Sequence, residues 1–180
     1  MKKSILLTIA LLIGIATQSM AQLPSVVLKD INGKSVNTAK LSNDGMPFII
    51  TFFAKWCKPC NRELTAISEV YEEWQEETGV KVFAVSIDQA QDALKVKPFV
   101  DSNGWEFDVL LDPNGAFKRA LGVNLIPHAI VCDGKGQIVE SHSGYTEGGE
   151  EHLIQKVRDI LDNNYTPLKS TKDEAPAKKD

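Results

Sequence analysis

Pro47-Phe48-Ile49-Ile50-Thr51-Phe52-Phe53 is the segment that most limits what this chain can fold into. It is almost continuously apolar, short, and bounded upstream by Gly45. A run of that length without polar alternation predicts a central strand buried on both faces, and such strands occur in sheets covered by helices on each side. A helix pattern begins a few residues later. Leu64, Ile67, Val70, Tyr71 and Trp74 recur at spacings of three and four, while Glu72, Glu73, Glu76 and Glu77 fall mostly off that stripe as a solvated surface. Gly79 stands where helices commonly end.

The flanking segments extend the pattern. Val26-Val27-Leu28 reads as a short strand, and Ile31-Asn32-Gly33-Lys34 carries a hairpin signal. A second buried strand is predicted over Val82–Ile87. Asp88 is placed to cap the next helix, which Pro98 must kink or restart. Phe107–Leu111 reads as a third strand, Asp112-Pro113-Asn114-Gly115 as a turn and Ala116–Leu121 as a short helix. Pro127–Cys132 and Gln137–Ser141 read as strands joined through Asp133-Gly134-Lys135-Gly136. The last helix is expected over Gly149–Asn163, with Leu153, Ile154, Val157, Ile160 and Leu161 on its apolar face. Strands alternating with helices and closing on a hairpin predict an α/β fold: a mixed central sheet flanked by helices, with an N-terminal β-hairpin extension.

The two ends read differently. Lys2 and Lys3, an apolar run over Ile5–Ala16 and the small-x-small site Ser19-Met20-Ala21 match a secretory signal peptide over residues 1–21. The apolar run is shorter than the roughly 20 residues a span needs, so cleavage before Gln22 and no membrane span afterwards are expected. A signal of this bacterial type places the mature chain in the periplasm, a disulfide-permissive compartment. Residues 22–165 form the expected domain, and the polar, charged, proline-containing residues 166–180 a disordered tail. A length of 180 residues fits a single domain. Three cysteines are too few for a disulfide-stapled miniprotein, and a net charge of −4 argues against a general nucleic-acid binder.

The chemistry lies in Trp56-Cys57-Lys58-Pro59-Cys60, at the junction of the buried strand and the first long helix. A lone C-x-x-C is weak evidence, but at a strand-to-helix junction in a βαβ context it indicates a thiol–disulfide redox pair. The first helical turn presents unpaired N–H groups and the positive end of the helix dipole, which stabilise a thiolate on Cys57. Lys58 adds a neighbouring positive charge, and such settings lower a cysteine pKa. Cys60 lies one turn into the helix, where it can reach Cys57 while being more buried. Cys57 is therefore the expected attacking thiol and Cys60 the resolving one. Pro59 suits a first turn, where its missing N–H costs nothing.

Phe52-Phe53-Ala54-Lys55-Trp56-Cys57-Lys58-Pro59-Cys60, with Asn61-Arg62-Glu63 after it and Gly122–His128 further on, resembles the thioredoxin superfamily, and within it the exported TlpA/ResA-like branch that includes reductants of cytochrome c maturation. The resemblance spans roughly Leu23 to Tyr165. It implies that Pro127 is cis and faces the cysteine pair. It places Thr51 where thioredoxins carry a buried Asp. It matches Glu63 to a glutamate that takes the Cys60 proton, although an ordinary first-turn acid favoured by the dipole is the competing reading. The absence of His from Lys58-Pro59 leans toward a reductase rather than an oxidant. The implied partners are protein disulfide substrates and a membrane or soluble thiol donor, with a monomeric chain and no small-molecule cofactor or metal.

Other classes have less support. A peroxiredoxin-like peroxidase wants a Thr three residues before its reactive cysteine, where this chain has Ala54. A copper or zinc module would want wider spacing or further ligands near the pair. A purely structural Cys57–Cys60 bridge would close too short a loop to constrain the unfolded chain. Cys132 reads as a buried inert thiol, with a third redox thiol as the alternative. His128 stands open between a structural role and tuning of the thiolate or substrate contact, and His142 and His152 read as surface residues. Trp56 is expected to shield the cysteines, Trp74 to lie in the core and Trp105 to pack at a strand start.

Overall fold

The computed structural model describes residues 21–163. The signal-peptide expectation, apart from Ala21, and the expected tail over 166–180 lie outside the described residues. In chain order the elements are β1 (Val27–Asp30), β2 (Ser35–Asn37), β3 (Phe48–Phe53), α1 (Lys58–Thr78), β4 (Lys81–Ser86), α2 (Val96–Ser102), β5 (Asp108–Leu111), α3 (Ala116–Ala120), β6 (His128–Cys132), β7 (Ile138–Ser143) and α4 (Glu150–Leu161). The strands form one mixed sheet in the order β2-β1-β5-β4-β3-β6-β7. β3 pairs parallel with β4 and antiparallel with β6. The N-terminal hairpin joins the same sheet through antiparallel pairing of β1 with β5.

Every residue of β3 is buried, as its apolar run demands. Its side chains alternate between two cores. Ile49 and Phe53 pack with Leu64, Ile67, Tyr71 and Trp74 of α1 and with the inner face of α4. Phe48, Ile50 and Phe52 pack on the opposite face with Leu28, Phe83, Phe117 and Ile130. The helices thus cover both faces, and β3 is pinned between them.

Local chemistry sets the boundaries. Asp30 Oδ1 accepts from the amides of Asn32 and Lys34, and Gly33 takes φ +87° to complete the hairpin turn. Gly79 caps α1 in the left-handed region, donating its N–H to Gln75 O at 2.9 Å. Pro98 stands in the first turn of α2, which restarts after a 3₁₀ turn over Ala93–Lys95. Gly134 lies so close to the turn before β3 that a Cβ there would sit 1.8 Å from Gly45 O. Ala21 O accepts from Ile138 N at 2.8 Å, tying the start of the described chain to β7.

Two expectations need correction, for Leu161 and Asp88. Leu161 is 37% exposed, because α4 turns it past the edge of the packed face. Asp88 caps no helix: its carboxylate turns inward and accepts from Lys55 N and Ser86 Oγ. Trp56 is 69% exposed, so most of its side chain faces solvent. Among the described residues no helix is long and apolar enough to cross a membrane.

Candidate active site

The site forms where β3 ends and α1 begins. The connecting turn is held from three directions. Cys57 N donates to Ala54 O at 2.9 Å, Lys55 N donates to Asp88 Oδ2 at 3.0 Å, and Asn61 Nδ2 donates to Lys55 O at 3.0 Å. Asp88 is itself buried and also accepts from Ser86 Oγ at 2.9 Å, so the turn is anchored to the end of the neighbouring strand β4. The loop that carries the cysteines therefore rests on rigid elements.

Cys57 is the N-cap of α1, and Cys60 lies one turn inside it. Their sulfurs are bonded to each other. Cys57 is 5% exposed and Cys60 fully buried, so of the two cysteines only the first keeps any access to solvent. The Cys60 amide donates to Cys57 Sγ at 3.3 Å. An N–H aimed at that sulfur, at the positive end of a 21-residue helix, favours a thiolate there once the pair is reduced. Lys58 is exposed beside it.

Glu63 lies on the inward side of α1, one turn beyond Cys60, and is only 3% exposed. Thr51 Oγ1 of β3 donates to its Oε2 at 2.8 Å. Burial pushes the Glu63 carboxyl up to about 7, the Thr51 hydrogen bond pulls the other way, and the charge of Glu150 raises it further. A carboxyl in that range can take up and release a proton near neutral pH.

The Ile126-Pro127 bond is cis. Pro127 immediately precedes β6, whose first residue, His128, is registered against Phe52. Pro127 therefore flanks the end of β3 from which the cysteine loop departs. Leu125, two residues before Pro127, is 70% exposed, and Trp56, beside Cys57 in the chain, is also exposed, so each offers an accessible apolar side chain. His128 is engaged elsewhere: its Nδ1 meets Ser143 Oγ at 2.7 Å and its Nε2 meets Ser141 Oγ at 2.9 Å. Both ring nitrogens are committed to β7, which favours the structural reading. Burial, followed by the charges of His142 and Lys118, pushes its pKa down.

Cys132 pairs with Phe48, at the opposite end of β3 from the redox loop, and burial raises its thiol far above the usual range. Trp74 and Trp105 are buried. Among the described residues there is no group of three or more His, Cys, Asp or Glu placed to hold a metal ion. Two contributors are not evident from sequence. Asp88 reads there as a helix cap, and the hydroxyl of Thr51 only as a missing carboxylate. A lone polar residue inside an apolar strand is the available signal for the second.

The AhpC/TSA family model matches residues 20–141. The thiol-disulfide oxidoreductase ResA of Halalkalibacterium halodurans is 28% identical over 172 residues, covering 89% of this chain and 93% of that protein. ResA of Bacillus thuringiensis is 31% identical over 135 residues, covering 74% of this chain and 75% of its own. Among solved structures, a thioredoxin-like protein from Porphyromonas gingivalis is 59% identical with a TM-score of 0.72, covering 82% of this chain and 97% of that one. StoA from Bacillus subtilis, 24% identical with a TM-score of 0.57 over 74% of this chain and 98% of its own, shares the fold.

Proposed function

The chain belongs to the AhpC/TSA family and is a thiol–disulfide oxidoreductase of thioredoxin-like fold, and from that premise we propose that it reduces protein disulfides in the periplasm, as a cytochrome c maturation-type reductant or a general envelope thiol reductase. The supporting observation is the asymmetry of the pair: Cys57 on a helix N-cap keeps a little solvent access, Cys60 is sealed in the core, and a buried carboxyl lies one turn away.

The Cys57 thiolate attacks one sulfur of the partner's disulfide. That S–S bond breaks, the distal partner sulfur leaves as a thiolate, and a mixed disulfide forms on Cys57. Cys60 gives its proton to Glu63 and attacks Cys57 Sγ. The partner's second sulfur leaves, and the pair ends as the Cys57–Cys60 disulfide. Two electrons have passed to the partner, and a thiol donor, membrane-bound or soluble, restores the dithiol. Pro127 presents the partner's backbone to the sulfurs, and the exposed Trp56 and Leu125 meet its side chains.

This reading includes removal of residues 1–21 on export, a working domain over 22–165, a polar tail over 166–180 and action as a monomer. Ala54, buried three residues before Cys57, leaves the peroxidase reading without its hydroxyl. The test is a trap. Reduced Cys60→Ala, incubated with oxidised envelope proteins, is expected to accumulate dithiothreitol-sensitive mixed disulfides that Cys57→Ala does not form. Equal trapping by both variants, or by neither, would refute the assignment.

A further inference from the structure

Thr51 is the one polar side chain in β3 and is fully buried. Ile49 and Phe53, two residues to either side, pack against α1, so the pleat turns Thr51 toward the same helix. A buried hydroxyl is costly unless it is hydrogen-bonded. Its partner here is the Glu63 carboxyl, reached across the strand–helix interface at 2.8 Å.

We propose that Thr51 is a positioning residue for the proton-transfer step, its hydroxyl fixing the Glu63 carboxyl beside the cysteine pair and favouring its ionised, proton-accepting form. The inference rests on the reading of Glu63 as the acceptor of the Cys60 proton. A hydroxyl that donates to a carboxylate stabilises the charged state, because the protonated acid does not need that donor. The other groups bearing on Glu63 act in the opposite sense or are the reaction partner. Burial disfavours the charge, and Glu150 at the start of α4 repels it. Tyr145, just before α4, directs its hydroxyl to Glu150 Oε2 at 2.8 Å. Cys60, on α1 itself, supplies the proton. Thr51 is thus the local group that keeps the buried carboxyl acidic enough to ionise near neutral pH.

The test follows resolution of a mixed disulfide preformed on Cys57, by stopped flow, from roughly pH 5.5 to 9, in wild type, Thr51→Val, Thr51→Ser and Glu63→Gln. Valine keeps the branched shape and removes the donor. A charge-assisted hydrogen bond of ordinary strength moves a titration by about one to two on the pH scale. Thr51→Val is expected to move the inflection up by that amount and to slow resolution about tenfold at neutral pH, while Thr51→Ser stays near wild type. Thr51→Ala replaces the valine variant should that one not fold. An unmoved inflection in the donor-less variant, or an equal shift in Thr51→Ser, overturns the role of Thr51 while the Glu63 reading stands. A wild-type profile in Glu63→Gln overturns the Glu63 reading and this inference with it.

Discussion

Glu63→Gln is expected to make the protein more stable at alkaline pH while making it a slower reductant. Glu63 ordinarily titrates at 4.5, and in the fold it is held up to about 7. Each tenfold change in proton affinity corresponds to about 1.4 kcal/mol, so the buried carboxylate carries a cost of about 3 kcal/mol relative to the neutral acid. Between those two values the native state keeps a proton that the unfolded chain has lost. Stability therefore falls with rising pH across that window. The contribution is intact below pH 4.5 and is lost as pH rises through about 7. Glutamine has the shape of the neutral acid at every pH. Its stability relative to wild type should accordingly rise by about 3 kcal/mol from the acid to the alkaline side of the window, whatever fixed offset the amide introduces. The assay is urea unfolding of the disulfide-bonded protein, followed by tryptophan fluorescence and far-ultraviolet circular dichroism, at intervals from roughly pH 4 to 8.5. The other titrating groups are common to both proteins and cancel in the difference. A difference that stays flat, or that favours wild type as pH rises, would refute the claim that burial penalises the charged form of this carboxyl.

Asp88→Ala removes the acceptor for Lys55 N and for Ser86 Oγ, and unpaired buried donors cost about 1–3 kcal/mol. Urea unfolding should register that loss, and alkylation of reduced Cys57 should change in rate because the turn carrying it is no longer anchored; an unaltered midpoint and rate would show that the clamp is dispensable. Cys132 should resist maleimide in the native, reduced protein and react in urea, since it is fully buried with its thiol pushed up. Peptide mapping that finds label on Cys132 in the native protein would contradict that placement.

Much of the architecture is legible in the sequence because it is local. The apolar run from Phe48 to Phe53 can be little else than a buried strand. The Asn32-Gly33 turn fixes the hairpin, and Pro59 and Gly79 bracket the long helix. The redox pair is legible for the same reason, since strand, turn and helix N-terminus are adjacent in the chain. What stays hidden depends on register between distant segments. The pairing of Phe52 with His128 is what brings Pro127 to the end of β3, and spacing alone carries no trace of it. Asp88 misleads because a carboxylate after a strand and before a helix looks the same whether it caps forward or folds back to Lys55.

Glu63 shows how burial bears on the proposed function. A first-turn glutamate is favoured by the helix dipole on any surface helix, so its presence alone distinguishes nothing. The rotation of α1 against β3 decides which way it faces. Leu64 and Ile67 must face the core, and the helical spacing then carries Cys60 and Glu63 inward with them. Opposite, the alternation of β3 turns Thr51 to the same side. The strand position that holds a carboxylate in thioredoxins holds only a hydroxyl in this chain. The carboxylate comes from the helix instead, and the hydroxyl anchors it. The two residues complete one another across the interface. Returning an acid to the strand by Thr51→Asp would place two carboxyls within hydrogen-bonding reach in a buried site, and like charges so close cannot both ionise. Only one of the two could then be the ionised proton acceptor near neutral pH, the other being held protonated beside it.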